Sequence, residues 1–453
     1  MANDSPNPIK IHLLSLGCAK NQVDSERMLF DLAAAGMVQV EDPEEADVGI
    51  VNTCGFIESA KAEAIAEILE LVELKKAGKL KAVVASGCLT ERYREEFAKE
   101  LPEVDAVLGA GSFDDIVDAV RAVYAGGHYS AFGDVNVSRQ EGGRVLTTPG
   151  YTAYLKIAEG CDNRCAYCVI PDLRGRFRSR PIESLVKEAQ ELAAAGVKEL
   201  IVVAQDITRY GTDLYGERAL SRLLEQLCAI DGICWIRLHY LYPDEIDEKL
   251  IDEIAKQDKI VKYLDIPIQH INDRILKAMR RRGTGGEIRE LFAKLRSRIP
   301  GLVLRTSLIV GLPGETEAEF EQLCDFLRES QIERAGVFCY SPEEGSDAAL
   351  MPDQVDEDTK MQRREIAEEI ASRAMDAYNE KMLGRTITVL CEGYDRAASC
   401  CVGRSYADSP DIDGKVFFTV PPKQTVRAGT FCEVEIDDSV YGDLAGKWKG
   451  QSC

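Results

Sequence analysis

Three cysteines stand as C-x-x-x-C-x-x-C in Glu159-Gly160-Cys161-Asp162-Asn163-Arg164-Cys165-Ala166-Tyr167-Cys168, directly after the strand-like run Tyr154–Ile157. Thiolates this close on a loop can fold around one iron–sulfur cube, whereas one helix could not aim all three inward. Three thiolates on a four-iron cube leave one iron without a protein ligand, and an open position on a metal is where a substrate or cosubstrate enters. A zinc loop is the alternative, but structural zinc usually takes four protein ligands, and no fourth Cys or His lies nearby. Cys18, Cys54 and Cys88 form a second, dispersed set, each just after a strand-like run. In an open α/β sheet such strand ends share one edge, where ligands bind, so residues 36 and 34 positions apart would converge. Spacing alone serves equally well for three ordinary buried thiols, since free cysteine is among the most buried residue types.

The elements that must position these residues fall into three regions. Up to about residue 124, strand-like runs (Ile11–Leu16, Ala46–Asn52, Lys81–Ser86, Val104–Leu108) alternate with helical ones such as Val23–Ala35 and Ile57–Lys76. Repeated β-α order implies a doubly wound parallel sheet, and the domain is set at residues 8–124. Gly126 to Gly150 is rich in glycine and reads as a linker. Six further strand candidates follow: Tyr154–Ile157, Leu200–Ala204, Trp235–Tyr240, Tyr263–Ile268, Val303–Val310 and Gly336–Tyr340. Helices such as Ile182–Ala195 and Glu315–Glu329 separate them. Over residues 147–383 this predicts an incomplete (β/α) barrel, with Asp356–Met382 as a closing helix. The last region, 384–453, holds short strand-like runs (Thr386–Leu390, Val416–Val420, Phe431–Ile436) between Gly, Pro and Asp turns, which suggests a small antiparallel β-barrel.

Composition bounds the setting. The 453-residue chain has no apolar stretch long enough to span a membrane as a helix, and its start, Met1-Ala2-Asn3-Asp4-Ser5-Pro6, lacks the basic and apolar parts of a secretory signal. Fifteen cysteines, an odd number spread along the chain, suit metal ligands and core positions in a reducing compartment better than disulfides. A cytoplasmic location is expected. The net charge of −22 repels phosphate backbones and attracts basic partners.

The Cys161–Cys168 motif, with Tyr167 before its last cysteine, resembles the radical S-adenosylmethionine (SAM) superfamily. Ile309-Val310-Gly311-Leu312-Pro313-Gly314-Glu315-Thr316 is similar to that superfamily's glycine-bearing strand end, which packs beside SAM. Gln205-Asp206 stands where a Gly-Gly-Glu motif often holds the SAM amino group. The resemblance therefore implies Tyr167, Gln205, Gly311 and Pro313 as SAM contacts. Ser15-Leu16-Gly17-Cys18-Ala19-Lys20-Asn21-Gln22-Val23-Asp24-Ser25-Glu26, Asn52-Thr53-Cys54-Gly55-Phe56-Ile57 and Ser86-Gly87-Cys88-Leu89 resemble the N-terminal domain of the methylthiotransferase family, whose last domain is TRAM-like. That resemblance covers essentially the whole chain. It implies two 4Fe–4S clusters, one on Cys161, Cys165 and Cys168 that cleaves SAM to a radical, and an auxiliary one on Cys18, Cys54 and Cys88 that delivers sulfur. The resemblance further implies two SAM molecules per turnover and a low-potential electron donor. No side chain is assigned as a catalytic acid or base. The other nine cysteines, His239 and His270 read as structural. Arg174, Arg176, Arg178 and Arg180 could bind a carboxylate or phosphate or form a solvated basic face.

Val203-Ala204-Gln205-Asp206 and Tyr240-Leu241-Tyr242-Pro243 resemble the family's ribosomal-protein branch. This implies methylthiolation at the β-carbon of an aspartate in small-subunit ribosomal protein twelve. The alternative within the family is a tRNA adenosine methylthiotransferase; from another class, a non-catalytic iron–sulfur sensor or electron carrier. From Arg385 onward ten acidic residues face eight basic ones, with Glu433, Glu435, Asp437 and Asp438 together. An RNA-gripping barrel should be basic, so direct nucleic-acid binding is not expected and a basic protein partner is.

Overall fold

The alternating pattern of the first region folds, in a computed structural model, as a six-stranded sheet. The structure describes residues 8–137 and 142–452; the Met1–Pro6 start, part of the glycine-rich tract and Cys453 lie outside the described residues. The strands are β1 (Lys10–Ser15), β2 (Val38–Gln39), β3 (Val48–Thr53), β4 (Ala82–Gly87), β5 (Ala106–Gly109) and β6 (Tyr129–Ala131). They lie in the order β2-β1-β3-β4-β5-β6, every pair parallel. β3 and β4 are buried along their whole length, which is why they read as continuous apolar runs rather than alternating ones. Met28, Leu29 and Leu32 of α1 (Ala19–Ala34) cover one face with the helix Ile116–Tyr124. Ala64, Ile68, Leu71 and Val72 of α2 (Glu58–Lys76) cover the other with α3 (Cys88–Glu100).

The described parts of the glycine-rich tract are tied to the first domain. They supply β6, and Arg144 is paired with the fully buried Glu26 of α1, which also accepts from Thr147 N–H at 2.9 Å. The expected boundary at residue 124 therefore falls short, because the sheet needs β6 and Glu26 needs a cation.

The chain packs as two compact units. The first takes residues up to Thr147 together with Ala158–Ser179 and Ser341–Ala349; the second takes Thr148–Ile157, Arg180–Tyr340 and Leu350 onward. This departs from a self-contained 147–383 barrel, since the motif loop belongs to the first unit.

In the second unit, β7 (Thr152–Lys156) begins a parallel sheet. The chain next runs through β8 (Ala158–Glu159), the cysteine loop and β9 (Arg178–Ser179), all in the first unit. The parallel sheet continues with β10 (Glu199–Val203), β11 (Trp235–Leu238), β12 (Ile260–Asp265), β13 (Val303–Val310) and β14 (Arg334–Cys339). Its order, β14-β13-β12-β11-β10-β7, follows the chain and leaves β7 and β14 as open edges, as an incomplete barrel requires. The helix Glu357–Glu380 packs along β14.

The C-terminal region is a closed barrel of β15 (Thr386–Asp395), β16 (Cys400–Ser405), β17 (Val416–Thr419), β18 (Phe431–Val440) and β19 (Asp443–Gln451), ordered β15-β16-β17-β19-β18. It is not wholly antiparallel: β17 and β19 run parallel. Its Arg404 and the following stretch to Asp413 meet charged residues of the parallel sheet within the second unit. Arg404 and Arg237 both bond the buried Glu199, Arg334 Nη2 lies 2.8 Å from Asp408, and Tyr263 Oη donates to Asp413 at 2.7 Å. His239 Nε2 lies 3.1 Å from Ser409 Oγ, in keeping with a structural role.

Candidate functional site

β1, β3 and β4 are neighbours in the first sheet, so the turns after them carry Cys18, Cys54 and Cys88 to one edge. The strand order reverses at β1, the kind of switch point where open α/β sheets bind ligands. The turns are tight. Gly17 has φ +88°, and a Cβ there would stand 2.7 Å from Cys54 Cβ; a Cβ on Gly55 would stand 2.8 Å from the carbonyl carbon of Cys88. Asn21 ties the edge together, donating from Nδ2 to Leu16 O and Thr53 O at 3.0 Å each, while Asn52 donates to Asn21 O and Ser25 Oγ.

The three thiols sense one another. Burial pushes Cys88 up to about 12, with Cys18 and Cys54 adding to the rise and Arg174 opposing it. Burial likewise raises Cys54. Cys18 goes the other way: burial would raise it, but Lys20, Arg174 and the N–H groups of Asn21 and Lys20 hold it below an ordinary thiol. Cys18 precedes α1, and a helix N-terminus favours thiolate.

In the same unit, the pair β8–β9 closes the base of the C-x-x-x-C-x-x-C loop, with Ala158 opposite Ser179 and Glu159 opposite Arg178. Cys161 N–H donates to Gly175 O at 3.1 Å and Cys168 N–H to Cys165 O at 3.0 Å. Ile170 N–H donates to Cys168 Sγ at 3.4 Å. Burial raises the Cys168 thiol further than that bond lowers it, and Cys165 and Cys161 add to the rise. Ala348 N–H donates to Ala166 O at 2.8 Å, fixing the loop against Ser341–Ala349. Among the described residues no group of three His, Cys, Asp or Glu side chains already stands in metal-ligand geometry. The donors nevertheless suit iron–sulfur cubes: two sets of three soft thiols, each held by glycine turns with little room for added side-chain bulk.

Gly160 carries much of that constraint. It has φ +77°, and a Cβ would collide with the carbonyl oxygens of Arg176 and Gly175. Gly160→Ala should therefore open the base of the loop, adding about 1–2 kcal/mol of left-handed strain to the clash. Faster proteolysis between residues 160 and 177 and lower iron retention are the expected readouts; unchanged values for both would refute this account.

The arginine row does not form a free basic face. Arg174 is buried against Cys88 and Asp24, Arg178 donates to Arg176 O at 2.6 Å, and Arg180 pairs with Glu188 at 2.5 Å. Spacing could not reveal this, because β9 is only two residues long. Asn21, Asp24 and Glu26 also escaped a reading by chemical type; their places within the cysteine-bearing word were the available signal. Glu343, which pairs with Arg92 at 2.9 Å and Lys61 at 3.3 Å, had none.

In the second unit, Gly311 follows β13 with φ +75°, and a Cβ would strike the Lys360 side chain. Its N–H and that of Leu312 point at Glu315 Oε2, which closes the Leu312-Pro313-Gly314 turn. Gln205 follows β10 at its C-terminal end; the neighbouring Asp206 caps Thr208 N–H at 3.0 Å. Tyr167 sits half-buried in the cysteine loop.

The acidic group of the C-terminal barrel is largely answered within the barrel. Lys449 pairs with Glu435 at 2.5 Å, Lys447 with Asp437 at 2.7 Å, and Thr388 Oγ1 donates to Glu433 at 2.8 Å. β18 and β19 are antiparallel neighbours, and their exposed rows carry opposite charge.

Comparison with known proteins agrees with this geometry. Residues 155–327 match the radical SAM superfamily, residues 10–109 the uncharacterized protein family UPF0004, and residues 383–448 the TRAM domain. A radical S-adenosylmethionine methyltransferase, TsrM from Kitasatospora setae, has a similar fold, with TM-score 0.55 at 15% identity over 74% of this chain and 77% of that one. The match over residues 155–327, which contains the cysteine loop, gives the chain a radical SAM domain. Curated proteins named ribosomal protein uS12 methylthiotransferase RimO are 46% identical over 97% of this chain and 99% of the relative in a Thermoanaerobacter species, and 50% identical with the same coverage in Pelotomaculum thermopropionicum. The chain belongs to the RimO family of ribosomal protein uS12 methylthiotransferases.

Proposed function

We propose that this chain is a radical SAM methylthiotransferase that places a methylthio group on the β-carbon of an aspartate in ribosomal protein uS12. The observation that carries the reading is full-length similarity to uS12 methylthiotransferases in a chain with two sets of three cysteines in one compact unit. Cys161, Cys165 and Cys168 hold one 4Fe–4S cluster, and Cys18, Cys54 and Cys88 hold the other. Bound there, the clusters and two SAM molecules per turnover supply hydrogen abstraction, sulfur and methyl. The chain's own part is to position these groups and exclude competing chemistry. In the second unit the Gly311–Gly314 turn, clamped by Glu315, offers backbone at a strand end for SAM, with Pro313 and Gln205 as candidate contacts there, and Tyr167 is the candidate contact in the first unit.

The protein works in the cytoplasm with a low-potential electron donor and without direct nucleic-acid binding. Among the described residues no helix is long and apolar enough to cross a membrane. The net charge of −22 favours association with a strongly basic protein. Mass spectrometry of uS12 from cells lacking this gene should show the aspartate without its methylthio group, restored by the intact gene. Methylthiolated tRNA adenosine with unmodified uS12, formed by the purified enzyme, would overturn the reading.

A further inference from the structure

Arg174 ends the short helix Ile170–Arg174, which begins two residues after Cys168. Its side chain turns away from the loop that precedes it and toward the other set of cysteines. Nε–H donates to Cys88 Sγ at 3.2 Å, Nη1 to Asp24 Oδ2 at 2.6 Å, and Nη2 to Asn21 Oδ1. Glu159 Oε1 lies 3.5 Å from Nη1, and the guanidinium centre is 5.7 Å from the Phe113 ring. The side chain is 4% exposed. Val169 and Leu173, from the same stretch, pack with Cys88 and Phe56 in one small core.

A buried cation aimed at sulfur has no purpose as a surface charge. Asp24 and Glu159 both face Nη1 at one end of the fork, leaving Nε–H as a directed donor to the sulfur. We propose that Arg174 is a positioning residue for the auxiliary cluster: it holds Cys88 by an N–H···S bond, raises that cluster's reduction potential, and anchors the C-x-x-x-C-x-x-C loop to the auxiliary site. The sign follows from charge. One-electron reduction adds negative charge to the cluster and its thiolates, and a donor with a buried positive charge stabilises the reduced form more than the oxidised one. This rests on the ligand assignment proposed above.

The test uses the full-length reconstituted holoprotein and a reductive titration followed by electron paramagnetic resonance. The cluster on Cys161, Cys165 and Cys168 is recognised by the change SAM makes to its signal. Arg174→Lys keeps the charge beside Asp24 but loses the Nε–H donor, and Arg174→Gln loses the charge as well. Iron content should hold in Arg174→Lys. The auxiliary cluster's reduced-to-oxidised ratio at fixed potential should fall about tenfold in Arg174→Gln, a downward shift of about 59 mV for a one-electron couple, and by less in Arg174→Lys. The SAM-sensitive cluster should move little. An auxiliary potential unchanged in both variants, with iron retained, overturns the proposal. So does loss of the auxiliary cluster from both, which would make Arg174 a folding residue only. If the unaltered protein holds one cluster rather than two, the ligand assignment fails instead.

Discussion

Replacing Cys18, Cys54 and Cys88 together by alanine should remove half of the iron from anaerobically reconstituted protein, from about eight atoms per chain to about four. SAM cleavage by the remaining cluster should persist in part, while methylthiolation of uS12 should be lost. The complementary Cys161/Cys165/Cys168 replacement should remove the other half and abolish SAM cleavage, because the cluster proposed to bind the cosubstrate would go with it. The two outcomes differ because the sets use separate turns: Cys18, Cys54 and Cys88 follow β1, β3 and β4, whereas the other three sit in a loop closed by β8 and β9. The sets are nonetheless in mechanical contact through Arg174, so the second replacement should also loosen iron at the first site slightly. Iron counts and the rate of 5′-deoxyadenosine release decide the matter. Eight irons retained after either triple change would defeat the assignment of ligands.

That Cys18, Cys54 and Cys88 share one sheet edge was legible because strand ends were legible, whereas their reading as ligands came from the resemblance of the words around them. The run Val48–Thr53, buried on both faces, reads as a parallel strand from its apolar continuity, and the residue after it is Cys54. What the sequence concealed depends on pairings between short or polar segments. β6 is three residues of an edge strand flanked by glycine, too short for a period to register. β19, Asp443–Gln451, has buried Leu444 and Gly446 followed by exposed Lys447 and Lys449, so its glycines read as turns. Glu433, Glu435 and Asp437 look like an acidic patch until Lys447 and Lys449 are placed on the adjacent strand. Arg174 is the sharpest case, since four arginines at every second residue suggest one exposed face. Only the fold of the loop shows the first of them pointing into the protein.

The same contrast governs the join between the C-terminal barrel and the parallel sheet, where Glu199→Ala should have the largest effect on stability of any single change outside the cysteine sets. Glu199 opens β10 and is fully buried. It receives Arg237 Nε at 3.0 Å and Arg404 Nη2 at 2.6 Å, with Thr152 Oγ1 at 3.2 Å. Burial would raise its carboxyl, but Arg404 and Arg237 outweigh it and hold the group down at about 2. Removing the carboxylate leaves two buried guanidiniums with less than their compensation, which typically costs about 3–5 kcal/mol. Glu199→Gln, which can still accept a hydrogen bond, should lose less. The pH dependence has a definite sign. The folded value lies below the unfolded one of about 4.3, so this stabilisation is complete above that pH and is lost as pH falls from there towards 2. It amounts to about 3 kcal/mol, and the alanine variant should lack that part of the acid sensitivity. Urea unfolding at neutral pH and at pH 3 measures both effects, with limited proteolysis after Gly384 reporting release of the barrel. A loss below about 1 kcal/mol at neutral pH, or an acid response identical in the unaltered protein and the variant, would show that the buried carboxylate does not hold the barrel to the sheet.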